Sequence, residues 1–356
     1  MARRVRRPLG PLDLRSQAIL RAVIEEYVTT AQPVGSLALV ERYGLNVSSA
    51  TVRNILADLE MAGLLTHPHT SAGRVPTDAG YRFYVEAITE AVSLPAVEQL
   101  MIRHQFGQVE FASEHWFRLA ATTLAGLTRS AGLATPAKPH TAHIRRVDLV
   151  AVNDRIASLI LVLREGSIKQ AAIAIDGDEP LDQAMLNQVA GLLNERLIDL
   201  TASLAQGALT RLAGGDPVQR AALIVGERIV RILRDYDAAA IEEVFSDGLL
   251  NVMEAPEFAQ SDKLRAVFTA LENRAYLGEL VGSVAGGGRI QIFIGGENGP
   301  LEMHDVSLVL APYGRPGSAI GVVGVLGPTR MSYPQAIGTV RFVSGLMNEL
   351  VDHLYA

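Results

Sequence analysis

Between Val47 and Gly63 the apolar residues Val52, Ile55, Leu56 and Leu59 fall at i, i+3, i+4 and i+7, a stripe one helix face wide. Ser48 stands where an N-cap belongs and Gly63 just past the end. Two shorter patterns precede this helix. Ile19, Leu20, Val23, Ile24 and Tyr27 form another helical stripe, and Gly35–Tyr43 reads as a short apolar helix stopped by Gly44 with a tight turn after it. Beyond it, Leu64–His67 reads as a short strand, 68–74 as a turn-rich tip, and Val75-Pro76 as the returning strand. Helix, helix, turn, helix and β-hairpin in this order predict an N-terminal winged helix-turn-helix.

The polar residues of the third helix add chemistry to the pattern. Ser49, Thr51, Arg53 and Asn54 lie near its start, mostly off the apolar stripe. Helices that read a DNA major groove contact base edges with such N-terminal residues, and Arg and Asn pair bidentately with guanine and adenine. Ser48, Ser49, Thr51, Arg53 and Asn54 are therefore the candidate base-reading set. His67, His69, Thr70, Ser71 and Arg74 surround the hairpin tip, where short polar side chains and free amides reach phosphates. The plain alternative is an amphipathic core helix followed by a turn in which Thr70, Ser71 and Gly73 only shape the backbone.

The rest of the chain divides by periodicity. Thr77 or Asp78 caps a helix running to about Val92, and helical spacing returns at 96–106 and 110–129. Ala134–His140 breaks the pattern and reads as a linker. Three β-like runs follow, Ile144–Val152, Ile156–Glu165 and Ile168–Ile175, separated by the turn signals Asn153-Asp154 and Gly166-Ser167, an antiparallel meander. Helices are predicted at about 181–205, 217–234 and 238–246. The first carries Leu186, Val189, Leu193, Leu197 and Leu200 on one stripe, which serves either as an interface between chains or as cover for the meander. The last quarter predicts a helix near 262–281, strands near 289–295, 306–313 and 318–326, and a closing helix at 333–354. The whole is an α+β multidomain chain.

Charge sharpens the reading of the N-terminal module. The formal net charge is −6, but residues 1–82 hold ten arginines against seven acidic residues, so the positive charge gathers at that end. Arg3, Arg4, Arg6 and Arg7 form a basic arm, either a flexible solvated tail or a strand that tracks phosphates and makes binding salt-dependent. With 49% hydrophobic and 20% charged residues, the 356-residue chain has material for two or three cores. No cysteine is present, which excludes disulfides, thiolate metal ligands and thiol catalysis and fits a cytoplasmic setting. No apolar run approaches the ~20 residues of a spanning helix, and the basic N-terminus lacks the apolar core of a signal peptide.

Enzyme chemistry finds little support. Gly286–Gly288 and Gly295-Gly296 belong to no phosphate-binding glycine pattern and read as turns flanking a strand. Glu297-Asn298 beside those glycines is either a turn or a ligand contact. His140-x-x-His143 lies in a proline-containing linker without a carboxylate nearby. No catalytic set, metal site or cofactor is expected.

Pro33-Val34-Gly35-Ser36, Ser48–Asn54, Leu59-Glu60 and Pro68–Arg82, together with Ile294-Gly295-Gly296-Glu297-Asn298 and Gly327–Tyr333, resemble the heat-inducible transcription repressor family HrcA in order and spacing. The resemblance implies three domains: a winged helix at 1–92, a GAF-like α+β domain in two segments at 93–140 and 246–356, and an inserted α+β dimerisation domain at 141–245. It implies a homodimer on an inverted-repeat operator of double-stranded DNA, the CIRCE type, upstream of chaperone operons. Repression would be relieved by heat and supported by the chaperonin GroEL. A second reading is a metabolite-responsive winged-helix regulator with a small-molecule site near Gly295–Asn298.

Overall fold

The computed structural model describes residues 12–355 except 45–46, 69–72, 110–112, 140, 165, 176–181, 213–214, 239–242, 259–268, 270–272 and 315–318. Two compact units result. One gathers the described parts of Met1–Thr135, Val244–Tyr313 and Val322–Met347, the other those of Pro136–Glu243, Gly314–Gly321 and Asn348–Ala356.

The first unit opens with three helices, α1 (Leu14–Thr30), α2 (Ser36–Tyr43) and α3 (Ser49–Met61), then β1 (Leu65–Thr66) and β2 (Val75–Pro76). β1 and β2 pair antiparallel, Leu65 opposite Pro76 and Thr66 opposite Val75, and an isolated bridge joins Val34 to Arg74. The predicted stripes form one core: Ile19, Leu20, Val23 and Ile24 of α1, Leu39 of α2, and Val52, Leu56 and Leu59 of α3 are all buried. Three helices and a hairpin in this packing are a winged helix. Asp13 caps α1 by accepting from Ser16 N, and Thr77 caps the next helix, α4 (Asp78–Ile88), by accepting from Gly80 N. That helix ends before the expected Val92. Arg341, from the far end of the chain, donates to the Thr89 and Val92 carbonyls and so satisfies its C-terminal end.

Beyond α4 the unit contains α5 (Ala96–Gly107), α6 (Ser113–Thr128) and a sheet. Its strands are β3 (Ala131–Ala134), β8 (Phe245–Asp247), β9 (Gln291–Ile294), β10 (Val306–Gly314) and β11 (Ala319–Pro328), in the order β8-β3-β11-β10-β9. β10 and β11 are buried nearly throughout, so apart from Ser307 their sequences read as near-continuous apolar runs. Val306, Leu308 and Leu310 share a core with Val252 of α10 (Leu249–Met253) and with Leu280 and Val284 of α11 (Arg274–Gly287). On the other face, Ser307 Oγ lies 2.8 Å from the Tyr333 hydroxyl, and Ser344 donates to the Pro312 carbonyl at 2.8 Å, which fixes the closing helix α12 (Tyr333–Tyr355) there.

The second unit is built on the expected meander. β5 (Ile144–Asn153), β6 (Ile156–Leu163) and β7 (Ile168–Ala174) pair antiparallel in sequence order. Gly166 takes φ +86° in the second turn. The two-residue strand β4 (Lys138–Pro139) pairs with Ala319 and Ile320. One face of the meander is closed by α7 (Gln183–Leu197), α8 (Ala202–Leu209) and α9 (Pro217–Ala238). Leu186, Val189, Leu193 and Leu197 are buried against Leu149, Leu159 and Leu161, so this stripe covers the sheet of its own chain. Leu193→Ala is expected to lower this unit's stability by about 2–5 kcal/mol, the range for a buried leucine truncated to alanine. Urea unfolding followed by circular dichroism checks it, and a change below 1 kcal/mol would place the residue outside the core.

Several expectations are corrected. The helix expected over 181–205 is two, because Asp199 takes φ +62° and donates from its amide to the Ile144 carbonyl at 2.8 Å, tying the break to the first residue of β5. The helix expected at 238–246 is not formed over its last residues, where Phe245–Asp247 is a strand paired with β3. The linker expected from Ala134 begins inside a strand. Ala131–Ala134 lies between β8 and β11, and with all four residues buried the sequence Ala-Gly-Leu-Ala carries no readable alternation. Among the described residues of the stretch expected as one helix near 262–281, α11 begins only at Arg274, after the non-helical Asn273, and it runs on to Gly287, so Gly286 and Gly287 end a helix. No helix among the described residues is long and apolar enough to cross a membrane.

Candidate nucleic-acid interface

The third helix starts as its sequence dictates. Ser48 is extended at φ −68°, ψ 152°, and its hydroxyl accepts from Thr51 N at 3.2 Å, satisfying one of the orphan donors of the first turn. The Ser48 and Thr51 hydroxyls lie 3.0 Å apart. At the other end Gly63 has φ +78°, a conformation most side chains resist. Val52 and Leu56 face the core while Arg53 and Asn54 are exposed, with Ser49 and Thr51 half-buried beside them. The helix thus presents a guanidinium, an amide and two hydroxyls within its first two turns. Ser48 has a structural task first, since its oxygen caps the helix. Glu26, buried on α1, holds Arg42 of α2 in an ion pair at 2.5 Å, which braces the scaffold behind the helix.

The hairpin residues divide differently. His69, Thr70 and Ser71 lie outside the described residues, as do Arg3, Arg4, Arg6 and Arg7. Arg74 and His67 are both described, and both turn toward Glu60 of α3. Arg74 Nη2 is 2.7 Å from Glu60 Oε2, and His67 Nδ1 meets Glu60 Oε1. Arg74 also exchanges two backbone hydrogen bonds with Val34, both 2.9 Å. Its guanidinium therefore braces the base of the hairpin against the third helix. Arg74→Ala is expected to lower the module's thermal midpoint by the equivalent of about 1–2 kcal/mol, because Glu60 loses a charged hydrogen bond at a site only a quarter exposed. An unchanged midpoint with weakened DNA binding would assign Arg74 to phosphate contact instead. Sequence reading missed Glu60 as the organiser of this corner. Its position beside the hairpin was visible only as the Leu59-Glu60 pair at the helix end.

The glycine-rich C-terminal motifs are occupied within the chain. Glu297 pairs with Arg82 of α4. Asn298 is buried, and its amide nitrogen donates toward the carbonyls of Gly295, Met303 and Val306 at 2.9, 3.1 and 2.9 Å. These residues form a turn whose polar groups face protein. His143 Nδ1 lies 3.1 Å from the Thr141 carbonyl, and His140 is outside the described residues.

A family model described as the HrcA protein C terminal domain matches residues 114–337. The heat-inducible transcription repressor HrcA of Herpetosiphon aurantiacus is 40% identical over 345 residues, covering 97% of this chain and 96% of that protein. The protein of the same name from Chloroflexus aurantiacus is also 40% identical, over 97% of this chain and 95% of its own length. The crystal structure of a hypothetical protein superposes with a TM-score of 0.65 at 24% identity, covering 97% of this chain and all of that one, a likeness of fold. A family model spanning more than half the chain and relatives matched almost end to end place it in a family of transcription repressors of heat-shock genes: the chain belongs to the HrcA family of heat-inducible transcription repressors.

Proposed function

We propose that this repressor acts as a homodimer on an inverted-repeat, CIRCE-type operator of chaperone genes and leaves it on heat stress. The observation that carries the reading is α3, whose apolar face is locked into the module while Arg53 and Asn54 stand exposed on its first two turns. In this reading Ser49, Thr51, Arg53 and Asn54 read base edges in the major groove. Ser48 caps the helix beside them. The hairpin residues His69, Thr70 and Ser71 approach phosphates while His67 and Arg74, turned toward Glu60, hold the base of the hairpin, and Arg3, Arg4, Arg6 and Arg7 track the backbone or enter a minor groove. One winged helix reads few base pairs, so a two-fold pair of modules doubles the interface and demands a palindromic site.

The domain reading places the winged helix at 1–92, a GAF-like domain at 93–140 and 246–356, and an inserted dimerisation domain at 141–245. The separate core of the second unit supports the insertion. The α7 stripe is spent inside that core, so the dimer surface is assigned to the opposite face of the meander. There Val150, Val152 and Ile168 are exposed, and Ile156, Ile160 and Val162 are only half-buried. Three apolar strands with one face open to water fit association with an identical face better than solvation. By family resemblance, GroEL would keep the repressor active, so unfolded proteins competing for the chaperonin would lower repression.

The test is selection of bound sequences from a random DNA pool. Recovery of inverted repeats supports both symmetry and base reading. Recovery of single, unpaired motifs would overturn the dimer, and the absence of any enriched sequence would overturn base reading by α3.

A further inference from the structure

We propose that the turn at 295–297 and the residues Glu257 and Arg330 form a socket that fixes the direction of the DNA-binding module, with Arg82 and Glu297 as positioning residues for operator binding. The inference rests on the dimeric reading above.

The socket is built from residues more than 200 positions from the helix they hold. Asp78, Tyr81 and Arg82 occupy one face of α4, at i, i+3 and i+4. Asp78 Oδ2 accepts from Gly296 N at 2.9 Å. Gly295 takes φ +51°, and a Cβ there would lie 2.5–2.6 Å from the Asp78 carboxylate, so only glycine lets the turn approach α4 this closely. One turn along, Arg82 Nε donates to Glu297 Oε1 at 2.9 Å and its Nη2 to the Ile292 carbonyl at 2.6 Å. Glu297 is itself held, since its Oε2 accepts from Ile294 N at 2.9 Å. The carboxylate raises the Arg82 pKa above its ordinary value, chiefly through this hydrogen bond.

A second fastening lies behind the first. Arg330 Nε donates to Glu257 Oε1 at 2.5 Å, and its Nη1 donates to the Val28 carbonyl near the end of α1 at 3.2 Å. Between the two fastenings the Tyr81 and Tyr333 rings meet at 5.7 Å between centroids, inclined 48°. Burial pushes both phenols above their ordinary pKa, so both stay neutral. Helices α1 and α4 of the module are therefore gripped at separate points by charged hydrogen bonds that are directional.

Such a grip matters only for a site with two halves. Linking two modules raises affinity through effective concentration, and that gain is lost when geometry keeps the second from its half-site. A module swivelling on α4 would still bind one half-site but would seldom meet both. Glu297 lies outside the winged helix, so its loss touches DNA binding only through direction.

The chain has no cysteine, so paired spin labels at Glu41→Cys and Glu302→Cys, both exposed, report the module's placement in the full-length protein. Measured beside them are affinities for the selected inverted repeat and for its isolated half-site. Glu297→Arg, which sets two guanidiniums face to face, is expected to broaden the label distance distribution and weaken the inverted repeat at least tenfold, with half-site affinity unchanged. Glu297→Gln, the gentler change, should show the same pattern at reduced size and serves if the reversal fails to fold. An unbroadened distribution with full operator affinity in both folded variants would overturn the socket, as would equal losses on repeat and half-site. Wild-type protein without preference for the repeat would overturn the dimeric reading and with it the operator role of the socket. The label distances would then report only whether the turn holds α4.

Discussion

Ile160→Lys is expected to turn the repressor into a monomer and to weaken its hold on an inverted repeat by roughly 10²–10⁴-fold, the gain that linking two modules supplies. Ile160 stands in the middle strand of the meander, on the face turned away from Leu159 and Leu161, with Asp148 and Gln170 as its neighbours in register. It is only half-buried in the single chain, so a lysine there reaches water and leaves the fold intact. Against a second identical face the same lysine would have to be desolvated, a cost that opposes association even with Asp148 beside it. Light scattering gives the mass, and titration with the repeat and its half-site gives the two affinities. Half-site binding should survive. A variant that remains dimeric with full operator affinity would move the interface elsewhere in the molecule.

Replacing Arg53 or Asn54 by alanine should cost about 1–3 kcal/mol on the preferred sequence and almost nothing on random DNA. Each change should relax preference at one position in each half-site. Both side chains are exposed on α3, and neither belongs to the core that Val52, Leu56 and Leu59 build, so the thermal midpoint should stay near that of the wild type. Competition binding against random duplexes separates the outcomes. A loss shared equally by specific and random DNA would assign both residues to phosphate contact. Ser48→Ala serves as a contrast, because it removes the N-cap bond to Thr51 N and should lower stability by about 1 kcal/mol.

The family was legible in the sequence because its signals are local. A 3.6-residue stripe, an N-cap serine and a terminal glycine specify α3 from within seventeen consecutive residues, and the structure forms the helix where the spacing put it. The meander was legible for the same reason, since turn residues and adjacent apolar runs specify antiparallel neighbours. What the sequence left open depended on partners distant along the chain. Ala131–Ala134 is a strand because β8 and β11 flank it, not because two alanines, a glycine and a leucine prefer extension. The break at Asp199 follows from a hydrogen bond to Ile144, more than fifty residues earlier. The stripe from Leu186 to Leu197 was compatible with an interface between chains or a core within one, and only packing against Leu149, Leu159 and Leu161 decided for the core. Arg74 and Glu297 show the same limit at the functional end. Their charges were visible, but a charge does not name its partner, and Glu60 and Arg82 became those partners only once the chain had folded back on itself.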